Sequence, residues 1–168
     1  MFVLDGVGFI CHPNTGSRSL KRFLLANSAK VVKPQHFMCL DTIKDCRAVV
    51  SVVRNPFDTM ASWYWRIKPV SFEQWLEVTL NGDRGYEGPH EGMFYGLPHT
   101  THKIRFERLE SMMTQAFEQL ELPPLKLTHM GSGKFRDKQH YRVLYNRRCI
   151  ELVRNAYGPL MSQLGYEY

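Results

Sequence analysis

Phe9-Ile10-Cys11-His12-Pro13-Asn14-Thr15-Gly16-Ser17-Arg18-Ser19-Leu20 reads as an apolar strand that enters a Pro/Gly turn and leaves it as a helix. The first backbone N–H groups of such a helix have no internal partners and carry the positive end of the dipole, so an anion is stabilised there. Gly16 lets the backbone approach closely. Ser17 and Ser19 add hydroxyl donors, and Arg18 adds a fork that matches a phosphate or sulfonate. A second stretch, Ala48-Val49-Val50-Ser51-Val52-Val53-Arg54-Asn55-Pro56-Phe57-Asp58-Thr59-Met60-Ala61-Ser62, repeats the design and points to a ligand with two phosphate-like groups.

Outward from these stretches, strands and helices alternate. Val7 to Cys11 is a short buried strand, and Ser17 to Asn27 carries Leu20, Phe23 and Leu24 at helical spacing. Val31-Val32 is a second short strand, and the Val-rich run Arg47 to Val53 suits a parallel strand covered on both faces. Asn55 as a cap, Pro56 at the first helical position and Asp58 in the first turn start a helix that runs to about Arg66. Ser71 and Gln74 form a capping-box pattern for a helix to about Leu80, with Phe72, Trp75 and Leu76 on one face. Residues 81 to 102 are rich in Gly and Pro and read as a long loop or lid. Lys103 to Phe106 is a strand. Met113, Ala116, Phe117 and Leu120 mark a helix stopped by Pro123-Pro124. Tyr141, Leu144, Tyr145, Leu152, Val153, Ala156 and Tyr157 mark a terminal helix broken near Gly158-Pro159.

The chain of 168 residues, 43% hydrophobic and 12% aromatic, suits one folded domain without repeats or linkers. Lys and Arg outnumber Asp and Glu by 22 to 16, a net charge of +6 that suits an anionic ligand but also nucleic acid. The cysteines Cys11, Cys39, Cys46 and Cys149 form no CxxC pair, which argues against a zinc knuckle or a dense disulfide framework and for reduced thiols. No stretch approaches the roughly 20 apolar residues that cross a bilayer. A cytoplasmic protein with no membrane partner is the expectation. His90, His99 and His102 lack a helical HExxH frame or companion cysteines, so no metal site is expected. Neither stretch is a Walker A loop, and Gly131-Ser132-Gly133-Lys134 has Thr128 and Phe135 where that loop needs Gly and Ser/Thr.

The quoted residues resemble the 3′-phosphoadenosine 5′-phosphosulfate (PAPS) dependent sulfotransferases. His12 to Leu20 is similar to the family's 5′-phosphosulfate loop, P-K-x-G-[ST]-[TR]-[SA]-L, and Arg54 to Tyr64 to its 3′-phosphate motif, R-N-P-x-D-x-x-x-S-x-Y. Ile104-Arg105-Phe106-Glu107-Arg108-Leu109 resembles the family's R-[FY]-E-x-L strand end. Tyr141 to Tyr168, with Leu164-Gly165-Tyr166, resembles the terminal helix and F-G-Y ending of carbohydrate-type members. The resemblance implies an α/β, P-loop-like three-layer fold: a short, mainly parallel sheet flanked by helices, in a single domain 1–168 with 81–102 as an acceptor-side loop or lid. It implies that Thr15, Gly16, Ser17, Arg18 and Ser19 surround the 5′-phosphosulfate. Arg54 and Ser62 then hold the 3′-phosphate, with Lys134 and Arg136 in a basic loop closing over it.

The implied activity is transfer of a sulfonate group from PAPS, leaving PAP, to a hydroxyl-bearing acceptor of carbohydrate type. Asn14 stands where the family has lysine. Negative charge grows on the leaving phosphate oxygen during transfer, so a cation there stabilises the transition state. Arg18 is the candidate to replace it, with His12 behind. The acceptor hydroxyl needs a base. His36 resembles the position from which carbohydrate members supply one, and Glu107 is the second candidate, although its place in the family motif suggests support of the phosphate loop. Two other readings stand beside this one. One is a small-molecule kinase using ATP and Mg²⁺; the other is a catalytically weak or silent nucleotide- or nucleic-acid-binding module, for which Asn14 and the positive charge speak.

Overall fold

The structure, a computed structural model, describes residues 1–10, 12, 14–27, 29–31, 40–67, 70–81, 97–127 and 140–168. The chain packs as two compact units, Met1–Val53 with Glu91–Met130 and Arg54–His90 with Gly131–Tyr168.

The first unit is built on five strands, β1 (Phe2–Leu4), β2 (Val7–Ile10), β3 (Lys30–Val31), β4 (Ala48–Val53) and β5 (His102–Arg105), in the order β3-β1-β2-β4-β5. β4 lies parallel to both β2 and β5, whereas β1 is antiparallel to β2 and β3. The sheet is therefore mixed, not mainly parallel. The difference comes from an N-terminal hairpin, which adds β1. Asp5 and Gly6 form its turn with φ of 48° and 74°, the left-handed pair whose twist matches that of the flanking strands. Arg47 fastens this turn: its N–H and Nε donate to the Gly6 and Asp5 carbonyls at 2.9 and 3.0 Å, and its Nη2 reaches the Leu120 carbonyl.

Side chains alternate across the sheet as the pleat requires. Phe2, Leu4, Val7, Phe9, Val50, Val52 and Ile104 share one core with Leu20, Phe23 and Leu24 of α1 (Ser17–Ala26) and with Met113, Ala116 and Phe117 of α5 (Leu109–Gln119). Val3, Ile10 and Val49 turn the other way, toward Ile43 of the short α2 (Leu40–Lys44). Helices thus cover both faces of the sheet in this unit, and an α/β architecture is established.

The second unit holds α3 (Pro56–Ile67), α4 (Phe72–Leu80) and α6 (Arg147–Leu164). Ser71 and Gln74 make the capping box that their spacing predicts. Aromatic rings form much of the interior: Phe57 meets Tyr145 and Tyr168 edge-on at 5.2 and 4.9 Å, and Phe72 meets Tyr64 and Tyr145 at 5.0 and 4.8 Å. The Tyr145 hydroxyl donates to the Phe57 carbonyl at 2.8 Å, and burial holds its pKa well above the ordinary tyrosine value.

Four boundaries differ from the sequence expectation. α6 is not broken at Gly158-Pro159 but runs through it. Proline removes one N–H and crowds the carbonyl four residues back, and here that residue, Asn155, is exposed, so water can serve its carbonyl. Tyr141–Leu144 forms a separate 3-10 turn, and α6 starts only where Asn146 Oδ1 accepts the Cys149 N–H at 2.9 Å. α5 ends before Pro123-Pro124, at Gln119 with Leu120 as its cap, and Glu121 then turns left-handed at φ 53°. Of the expected loop 81–102, residues 82–96 lie outside the described residues, while Leu97–His99 is a 3-10 turn and His102 opens β5. Among the described residues no helix is long and apolar enough to cross a membrane.

Candidate functional site

The loop of the first motif lies between β2 and α1 in the first unit. Asn14 and Gly16 both take positive φ, 58° and 75°, a region that asparagine and glycine enter most readily. Gly16 caps α1 and its carbonyl accepts the N–H groups of Ser19 and Leu20 at 3.1 and 3.2 Å. A left-handed Gly16 followed by helical Ser17 puts a change of hand at the start of α1, the backbone arrangement from which nests are built. Glycine is needed here a second time, because a Cβ would stand 2.7 Å from Leu109 Cδ2 and 3.6 Å from Phe106 Cε2.

That contact brings the Phe106–Arg108 turn, and with it exposed Glu107, next to the loop. The side chains of the loop divide by burial. Thr15 is buried and donates its hydroxyl to the His12 carbonyl at 2.7 Å, Ser19 is buried, Ser17 is half-buried and Arg18 is exposed. Thr15 therefore shapes the turn through its hydroxyl, and Arg18 is the cation that solvent can reach. His12, the second candidate for that charge, has no exposed surface, and its Nε2 is 3.0 Å from Ser51 Oγ.

The second motif opens the other unit. Asn55 caps α3: its Oδ1 accepts the Phe57 N–H at 2.9 Å, and its Nδ2 donates to the Glu167 carbonyl at 2.8 Å. Arg54 donates from Nε and Nη2 to Asp58 Oδ2, both at 2.8 Å, with side-chain exposures of only 7% and 10%. Asp58 and half-buried Ser62 are one helical turn apart, hence on one face of α3. The guanidinium is thus oriented by a carboxylate that also offsets part of its charge. The i, i+4 spacing of Arg54 and Asp58 is the sequence signal for this partner.

No family model, curated protein or solved structure matches this chain. The first unit brings His12, Thr15, Gly16, Ser51 and the turn bearing Glu107 together, and in the second Arg54 precedes α3 while Asp58 and Ser62 lie on one face of that helix. His36, Lys134 and Arg136 lie outside the described residues.

Proposed function

We propose that this protein transfers a sulfonate group from PAPS to a hydroxyl acceptor, with carbohydrate as the acceptor class, on a fold of the P-loop-like type. The observation that carries the reading is the left-handed Gly16 at the start of α1, the helix that follows strand β2. In support, β4, the strand that leads into Arg54-Asn55-Pro56, is the parallel neighbour of β2. Ligands of open α/β sheets collect outside the carboxyl ends of such strands.

In this reading Gly16, Ser17, Arg18 and Ser19 hold the 5′-phosphosulfate, mainly through backbone N–H groups, while Thr15 shapes the turn. Arg54 and Ser62 hold the 3′-phosphate, with Lys134 and Arg136 as further cations. The acceptor oxygen attacks sulfur in line, the bond from sulfur to the phosphate oxygen breaks, and its electron pair leaves with PAP. The acceptor proton passes to His36 or Glu107. Arg18 offsets charge on the leaving oxygen, a task for which the neutral amide of Asn14 is weaker than lysine. Asn14 also favours a second reading, a binder of the same nucleotide without turnover.

Turnover separates the two. In EDTA, radiolabelled PAPS should lose its sulfonate to a desulfated polysaccharide and yield PAP. Asn14→Lys should raise that rate, at a cost of about 1–2 kcal/mol in stability for a lysine at positive φ. Bound PAPS that stays intact with both proteins indicates the silent binder. Consumption of ATP with Mg²⁺ but not of PAPS indicates a kinase.

A further inference from the structure

We infer that His12 is the positioning residue of the anion loop, which it ties to β4 through Ser51 and shapes through its own carbonyl; this rests on the loop being the anion site of the proposed function. His12 lies two residues beyond the end of β2 and is completely buried, as is Ser51 within β4. In the strand ladder Ser51 pairs with Ile10, the last residue of β2. The contact of His12 Nε2 with Ser51 Oγ at 3.0 Å therefore carries the pairing of the two strands past the point where the backbone ladder stops.

From the other side, the His12 carbonyl accepts the Thr15 hydroxyl at 2.7 Å, and Thr15 stands directly before Gly16. One residue thereby fixes both the departure of the chain from the sheet and the turn that sets the hand of Gly16. With no exposed surface, His12 cannot meet a ligand; it acts through the direction of the N–H groups at the start of α1. Buried polar groups lose their water on folding, so the bond between imidazole and hydroxyl offsets a cost that either truncation would expose.

Hydrogen exchange on the ligand-free protein tests this, with His12→Phe, Ser51→Ala and His12→Gln, the last keeping a polar atom near the place of Nε2. The first two should speed exchange of the Ser19 and Leu20 amides, which bond the Gly16 carbonyl, by about tenfold, the loss expected for one buried hydrogen bond. Amides of β4 and α5, which open with the whole unit, should speed up by no more than the stability loss read from urea unfolding of the same variants. His12→Gln should restore the loop, and affinity for inorganic pyrophosphate should follow the same order.

Ser51→Ala serves alone if His12→Phe does not fold. Faster loop exchange with unchanged pyrophosphate affinity would make His12 an ordinary core residue and overturn the inference, as would an unchanged loop. A wild-type protein that binds pyrophosphate in this His12-dependent way but not PAP would overturn the nucleotide reading while supporting the role of His12. Binding of neither ligand would overturn both.

Discussion

Arg54→Ala is expected to lower folding stability by about 3–5 kcal/mol, because it leaves a buried carboxylate without its guanidinium. The pair is nearly closed to solvent, and both donors of Arg54 converge on one oxygen of Asp58 at 2.8 Å. Removing both charges together should cost far less than removing one: the double change Arg54→Leu with Asp58→Leu should recover most of the loss. Urea unfolding of wild type, Arg54→Ala and the double variant measures this directly. If Arg54→Ala unfolds at the wild-type midpoint, the pair is not buried as described. The same geometry governs how a phosphate role can be tested, since loss of ligand binding in an unstable Arg54→Ala protein proves nothing. Arg54→Lys keeps the charge beside Asp58 and removes the fork. It should weaken PAP binding by roughly tenfold in folded protein, the difference between forked and point-charge recognition.

The second large effect is expected at Gly16. Gly16→Ala meets two obstacles, a φ of 75° and a Cβ 2.7 Å from Leu109 Cδ2. The first costs about 1–2 kcal/mol for an L-residue. The second is relieved by truncating the neighbour, so Gly16→Ala with Leu109→Ala should regain the steric part and leave the backbone part. PAP affinity should fall more than stability in the single variant, because the N–H groups of the nest move with the backbone that the new methyl displaces. A Gly16→Ala protein with wild-type stability and wild-type PAP affinity would remove this loop from the site.

Much of the fold was legible because its signals are local. The strand, turn and helix from Val7 to Ala26, the Val-rich β4 and the Asn55 and Ser71 caps are readable from spacing alone. The β1 hairpin was also readable, since Asp5-Gly6 between apolar runs is a strong turn signal. The break expected at Gly158-Pro159 rested on local propensity. Helix α6 overrides it, with Cys149, Val153, Tyr157, Met161 and Leu164 forming a continuous buried stripe across that point.

At the site, local chemistry was readable and long-range contact was not. The spacing of Gly16, Arg54 and Ser62 could be seen in the sequence. That Leu109 would crowd Gly16, or that a histidine offered as a spare cation would be buried against a serine 39 residues away, depends on which strands become neighbours. Burial also sorts residues that the motif treats alike: Thr15 and Ser19 face inward, whereas Arg18 is exposed.

The central claim is that this chain binds the nucleotide of sulfonate transfer, and calorimetric titration with PAP in EDTA tests it most directly. The account predicts saturable binding of PAP without metal, with ATP and Mg²⁺ or a single-stranded oligonucleotide binding much more weakly. No heat from PAP, or tighter binding of ATP with Mg²⁺ or of the oligonucleotide, would contradict it.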